Sequence, residues 1–152
     1  MTAIRTWFGA LRPFSFTASV IPVLVGTAIA AEQEFHWGLF LLALFGSVAI
    51  HAGTNLANDY FDHVKGTDTP DSLGPSGVIQ RGLLTPRQVL TGGIVAFAIG
   101  GAIGIVLTVQ VGWPVLALGV ASVLAGYFYT ASPFFWRTAA WARSSSSSSW
   151  GR

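Results

Sequence analysis

Cysteine is absent from this chain and charge is scarce: only 9% of its 152 residues are Asp, Glu, Lys or Arg. The first absence excludes disulfides and thiolate metal centres. The second excludes an ordinary soluble globular domain, in which roughly a quarter of residues are charged. Acids are the rarer sign, six against eight Lys and Arg, and none follows Asp71. A formal net charge of +2 is too small to build the basic face that nucleic acid requires, so no nucleic-acid partner is expected. A cleaved signal peptide is not expected either, because the first apolar run is long and no small-residue cleavage site follows it.

Apolar length is what the chain has instead. Hydrophobic residues make up 52% of it and the mean hydropathy is +0.60. A helix needs about 20 apolar residues to cross a bilayer core about 30 Å thick. Four stretches supply them: residues 14–31, with Pro22 as an expected kink, and residues 37–57, 89–111 and 113–131. Trp37 and Trp113 open two of these spans, where aromatic belts form. Pro114 falls in a first helical turn, where proline is tolerated. The predicted fold is all-α, a polytopic transmembrane helical bundle of four spans in a single domain. In the third span Ala96, Gly100 and Gly104 form a small-residue stripe that predicts close helix packing.

The eight basic residues set the expected topology. Arg5 and Arg12 precede the first span, Lys65, Arg81 and Arg87 lie between the second and third, and Arg137, Arg143 and Arg152 follow the fourth. All are on one side. The positive-inside rule makes that side cytoplasmic, with both termini and the long connection inside the cell's inner (plasma) membrane.

That connection begins in the stretch "HAGTNLANDYFDHVKGTDTPD", residues 51–71, which holds four of the six acids and follows a nearly unbroken apolar run. Residues 58–88 are rich in turn formers, among them Gly66, Pro70, Gly74, Pro75, Gly77, Gly82 and Pro86. Connections this long in compact proteins are usually functional or disordered. If the second span continues helically, His51, Asn55, Asn58, Asp59 and Asp62 share an arc of roughly 100°. A lone acid at a helix end is usually solvated or capping. Five polar residues on one stripe beside an apolar span point further, because carboxylates at such a boundary face a cavity or a partner. Oxygen-only ligands suit Mg²⁺, which takes one or two carboxylates plus substrate phosphates. A bridging cation would let a phosphate approach Asp59 and Asp62, with Lys65, Arg81 and Arg12 available for the remaining charge. Ion transport also uses intramembrane carboxylates, but these acids cluster at the boundary and continue into the loop. An EF-hand fails for want of alternating ligands and a final Glu. Zinc held by His51 and His63 is poorly supported by their wide separation.

At these residues the chain resembles the UbiA family of membrane-bound aromatic prenyltransferases. "NDYFDHVKG" is similar to the family's first Asp-rich motif, NDxxDxxxD, with Asn58, Asp59 and Asp62 on its first three defined positions. Asn55 matches the asparagine of the broader NxxxD pattern. Gly66 stands where the motif ends in Asp, with Asp68 two residues later. That departure recurs in the branch that prenylates 1,4-dihydroxy-2-naphthoate on the way to menaquinone, which "LRPFSFTASVIPVLVGTA" and "VIQRGLLTPRQVL" also resemble. The resemblance implies a transferase whose Mg²⁺ is held by Asn55, Asn58, Asp59 and Asp62. Asp59 and Asp62 would be its catalytic pair, and Arg12, Lys65 and Arg81 would bind the diphosphate of a polyprenyl donor. The acceptor would be an aromatic ring, and the prenyl tail would lie among the glycine-rich spans.

The likeness runs through residues 11–134, and residues 1–134 are read as the N-terminal half of such a domain. Family members continue into further spans and a second motif, DxxxD. Here the chain passes into "FWRTAAWARSSSSSSWGR", a low-complexity tail from residue 135 expected to be disordered. A truncated or out-of-frame product is therefore expected. The reading from another class is a catalytically inactive homologue or small non-catalytic membrane protein, a transporter or scaffold subunit, that keeps the stripe for ions.

Overall fold

The computed structural model describes residues 3–32, 34–66 and 76–131; side chains at 123 and 125–131 lie outside that description. Asp68, Asp71 and the tail expected to be disordered are likewise outside the described residues. Five α-helices follow one another, with no strand among the described residues: α1 (Ala3–Leu11), α2 (Thr17–Ala30), α3 (Trp37–Val64), α4 (Pro86–Val111) and α5 (Trp113–Ala131). A short 3₁₀ turn, Pro13–Phe16, joins α1 to α2. Three stretches are long and apolar enough to cross a membrane: Ala3–Ala30, which takes in α1, the turn and α2, then Trp37–Val64 and Pro86–Val111. The fourth predicted span is the helix α5.

Two boundaries differ from the sequence reading. Residues 3–11 form a helix of their own, with Thr6 and Ala10 buried and Ile4 and Phe8 exposed. The second span does not stop at 57 but stays helical to Val64. At 1.5 Å per residue, α3's 28 residues measure about 42 Å, more than the roughly 30 Å of a hydrocarbon core. Its last turns can therefore carry charge beyond the lipid. Gly66 (φ 67) follows the helix end in the left-handed region, where a residue without Cβ is unstrained. At the other side of the connection, α4 starts on a reciprocal cap: Thr85 Oγ1 accepts from Gln88 N–H, and Gln88 Oε1 accepts from Thr85 N–H.

The hydrophobic core sits at the end of the bundle where α3 finishes. Ala10, Leu56, Val78, Ile79, Leu84 and Val89 are buried together, with Trp7, Leu11 and Tyr60 packed against them. Half of that cluster comes from the connection itself. Residues 76–85 fold inward as tight turns, with Arg81 N–H bonded to Gly77 O (3.0 Å) and Leu83 N–H to Val78 O (2.9 Å). Gly77 (φ 59) and Gly82 (φ 66) supply the left-handed backbone these turns require.

α3 and α4 pack along a line of glycines. Gly53 and Gly93 approach closely, and Gly100 lies against Ile50. Gly104, by contrast, has nothing within 4 Å of where a Cβ would stand. The buried small-residue stripe is thus Gly93 and Gly100, two turns apart, rather than the sequence's Ala96–Gly100–Gly104 progression.

Candidate functional site

The last turns of α3 carry the acidic stripe. Asn55 and Asp59, one turn apart, are both buried, a rare state for these residue types unless they are paired. His51, Asn58 and Asp62 are half-buried on the same helix.

Asp59 is gripped from two sides. Arg12 Nη2 donates to its Oδ1 as a buried ion pair, and Ser76 Oγ donates to its Oδ2. The paired side chains are 11% and 5% exposed, so desolvation makes each depend on the other. Ser76 reaches the carboxylate because the Gly77 turn brings the connection back over α3.

Arg12 reaches it through an unusual backbone. Its φ of 55° and ψ of 60° are left-handed, the only non-glycine positive φ among the described residues. For an L-residue that costs roughly 1–2 kcal/mol. Side chains add to the backbone bonds that hold the conformation, Arg12 N–H to Gly9 O (3.3 Å) and Ser15 N–H to Arg12 O (2.9 Å). Asn55 Nδ2 donates to Leu11 O (2.9 Å) and Ser15 Oγ donates to Arg12 O (2.8 Å), so the carbonyls on both sides of the Arg12 Cα are tied. Asn55 Nδ2 also donates to Ser15 Oγ (3.0 Å). His51 completes the group, with Nε2 3.1 Å from Ser15 Oγ, Nδ1 2.6 Å from Ser19 Oγ, and the Phe16 ring meeting it edge-on at 5.5 Å.

Of the residues singled out from sequence, the fold brings Arg12, Asn55 and Asp59 into one bonded group and keeps Asn58 and Asp62 on the same helix end. Lys65, just past α3, and Arg81, in the inward-folding turns, are exposed and make no ion pair among the described residues. Sequence reasoning missed Ser76, Ser15 and Ser19. The four-residue spacing of Ser15 and Ser19, matching that of His51 and Asn55, was the available signal.

Among the described residues no three His, Asp or Glu side chains form a ready metal cluster. The donor set at the end of α3 is nevertheless all oxygen: two carboxylates and two amide oxygens. Asn55 uses both of its N–H groups on Leu11 and Ser15, and its Oδ1 accepts no hydrogen bond among the described residues. Such a set fits Mg²⁺, which takes one or two carboxylates and completes its shell with water and phosphate oxygens. A separate cavity of about 400 Å³ lies among α2, α3, α4 and α5, lined by Pro22, Gly26, Leu39, Phe40, Ala43 and Leu107 among others. It is some 16 residues back along α3 from Asp59, about 24 Å, and its lining is apolar apart from Thr27, Glu34 and His36.

Comparison with known proteins places the chain among relatives of one kind. The chain is 34% identical over 123 residues to the 1,4-dihydroxy-2-naphthoate octaprenyltransferase of Bacillus subtilis (strain 168), covering 80% of this chain and 40% of the relative. It is 35% identical over 131 residues to the enzyme of the same name from Mycobacterium tuberculosis (strain ATCC 25618 / H37Rv), covering 86% and 44%. The 2-carboxy-1,4-naphthoquinone phytyltransferase of Synechocystis sp. (strain ATCC 27184 / PCC 6803 / Kazusa) is 30% identical over 135 residues, covering 86% and 42%. The chain thus spans less than half the length of these curated relatives. No solved structure matches it. The profile of the UbiA prenyltransferase family matches residues 19–148, most of the chain, and the chain belongs to that family.

Proposed function

We propose that this chain carries the diphosphate-binding part of a membrane prenyltransferase that moves a polyprenyl group from its diphosphate to an aromatic acceptor. The observation that carries the reading is the bonded group of Arg12, Asn55 and Asp59, buried at the end of a membrane-length helix in a chain of this family. The acceptor we favour is 1,4-dihydroxy-2-naphthoate, the aromatic acid for which the Bacillus and Mycobacterium relatives are named.

The residues of this chain divide the work as follows. Asn55, Asn58, Asp59 and Asp62 offer the oxygens that would hold Mg²⁺. Bound there, the ion would supply Lewis-acid stabilisation of the charge that develops on the departing diphosphate. Arg12 places a planar, permanently charged fork beside Asp59, suited to bidentate contact with phosphate oxygens. The exposed Lys65 and Arg81 offer mobile positive charge at the same end of the bundle. Breaking the allylic C–O bond leaves a carbocation that the electron-rich ring attacks through carbon, losing a ring proton as aromaticity returns. The apolar helices keep water from that cation.

The test is binding of radiolabelled farnesyl diphosphate to this chain in lipid nanodiscs. Binding is expected with Mg²⁺ and not with EDTA, and Asp59→Asn or Asn55→Ala should weaken it on the order of 10–100-fold. Equal binding with Mg²⁺ and with EDTA would count against the metal-dependent site.

A further inference from the structure

We propose that His51, which has no place in the chemistry above, is the positioning residue that aims Arg12 at Asp59, acting through Ser15. The hydrogen bonds assign its state. Ser15 has one hydroxyl proton, and that proton goes to Arg12 O (2.8 Å). Ser15 Oγ must therefore accept at its other contacts, from Asn55 Nδ2 (3.0 Å) and from His51 Nε2 (3.1 Å). Nε2 then carries a proton, and the Ser19 hydroxyl meets Nδ1 on the other side of the ring at 2.6 Å. An imidazole that donates from Nε2 meets the directions fixed at Ser15.

This state has a mechanical consequence. Ser15 Oγ is the junction at which α3, through His51 and Asn55, meets the carbonyl of Arg12. With both of its lone pairs engaged by α3, the hydroxyl has a single direction left in which to donate, and that direction is Arg12 O. Remove the His51 N–H and the hydroxyl gains an alternative acceptor geometry, loosening its hold on a left-handed residue that has no intrinsic preference to stay so. Ser19 and the Phe16 ring fix the imidazole plane. Loss of the Ser19 contact alone should leave Arg12 in place.

Two substitutions separate these roles. The amide of Gln at 51 reaches the position of Nε2 and keeps a donor for Ser15. The amide of Asn reaches only the position of Nδ1 and keeps Ser19. Phenylglyoxal modification, read residue by residue by mass spectrometry on the full chain in nanodiscs, reports how well Arg12 is held, with the exposed Arg87 as internal reference. His51→Ala and His51→Asn should raise the Arg12 rate about fivefold, the equilibrium effect of one lost hydrogen bond, without changing Arg87. His51→Gln and Ser19→Ala should leave Arg12 near its original rate. Equal behaviour of Gln and Asn, or an unchanged Arg12 in both Ala and Asn, overturns the proposal, and the Gln–Asn pair decides the matter should His51→Ala not fold.

As a positioning role for diphosphate binding, the inference rests on the function proposed above. Mg²⁺-dependent farnesyl diphosphate affinity should fall in the same order, Asn and Ala below Gln. The labelling needs no ligand. If the unsubstituted chain bound no diphosphate while Arg12 labelling followed the expected order, the functional reading would fail and the His51 link would stand.

Discussion

At the level of single residues, the Arg12–Asp59 pair carries the sharpest energetic consequence. Both side chains are nearly buried, and Asp59 has a partner on each oxygen. Removing one member of such a pair leaves an uncompensated charge, which typically costs about 3–5 kcal/mol, whereas removing both together costs far less. Arg12→Ala should accordingly lower the SDS-unfolding midpoint in mixed micelles strongly, and Arg12→Ala with Asp59→Ala should recover much of the loss. A double variant no better than the worse single one would mean that the two charges do not depend on each other. Both members of this pair stand out in the sequence, Asp59 because a carboxylate stripe beside an apolar span has few innocent explanations and Arg12 as a basic residue available to a phosphate. That Arg12 would be its partner was not legible from periodicity, since 47 residues separate them and the left-handed turn that joins them leaves no composition signal. Ser76 was hidden for the same reason.

Among the helices, the contact between α3 and α4 depends on backbone approach at glycine. A Cβ on Gly100 would stand 2.6 Å from the Ile50 side chain and 3.2 Å from the Ile50 backbone nitrogen, so Ile50 can move only part of the way clear. Gly100→Ala should therefore destabilise the chain by about 1–3 kcal/mol, the usual cost of overpacking. Gly104→Ala meets open space and should stay within about 0.5 kcal/mol or gain slightly from helix propensity. Thermal unfolding in the same micelles compares the two, and equal losses would return the packing seam to the stripe expected from spacing alone. That expectation failed at Gly104 because four-residue spacing identifies a face of a helix but not how far the neighbour follows it. The long helices themselves were readable, since an apolar run of bilayer length admits few structures. Residues 58–64 look like connection in the sequence because charge interrupts hydropathy there, although nothing breaks a helix before Gly66. Val78, Ile79 and Leu84 escaped notice as core because apolar residues within tight turns have no period to betray them.

For the whole molecule, the fold segregates charge. Arg12 touches Asp59 across the start of the first membrane-length stretch and the end of α3, so those two ends coincide in space. Arg5 lies in α1, Lys65 follows α3, and Arg81 and Arg87 flank the start of α4, whereas Glu32, Glu34 and His36 occupy the connection between α2 and α3. Glu34 and His36 lie 3.6 Å apart there. Between the two ends the helices expose Ile21, Val25, Ile29, Ile94, Val95 and Ile105, as surfaces facing lipid or further helices do. The basic end should then be retained in the cytoplasm, which would open the Asp59 site to an anionic diphosphate supplied from that compartment. The absence of cysteine makes the test clean, because a single introduced thiol has no background. His63 is exposed at the site end of α3 and Glu32 is exposed at the far end of the first stretch. An impermeant maleimide should label Glu32→Cys on intact cells and His63→Cys only after the membrane is opened. Labelling of His63→Cys but not Glu32→Cys on intact cells would invert the orientation, and the site would then face a compartment the basic residues should have kept it from.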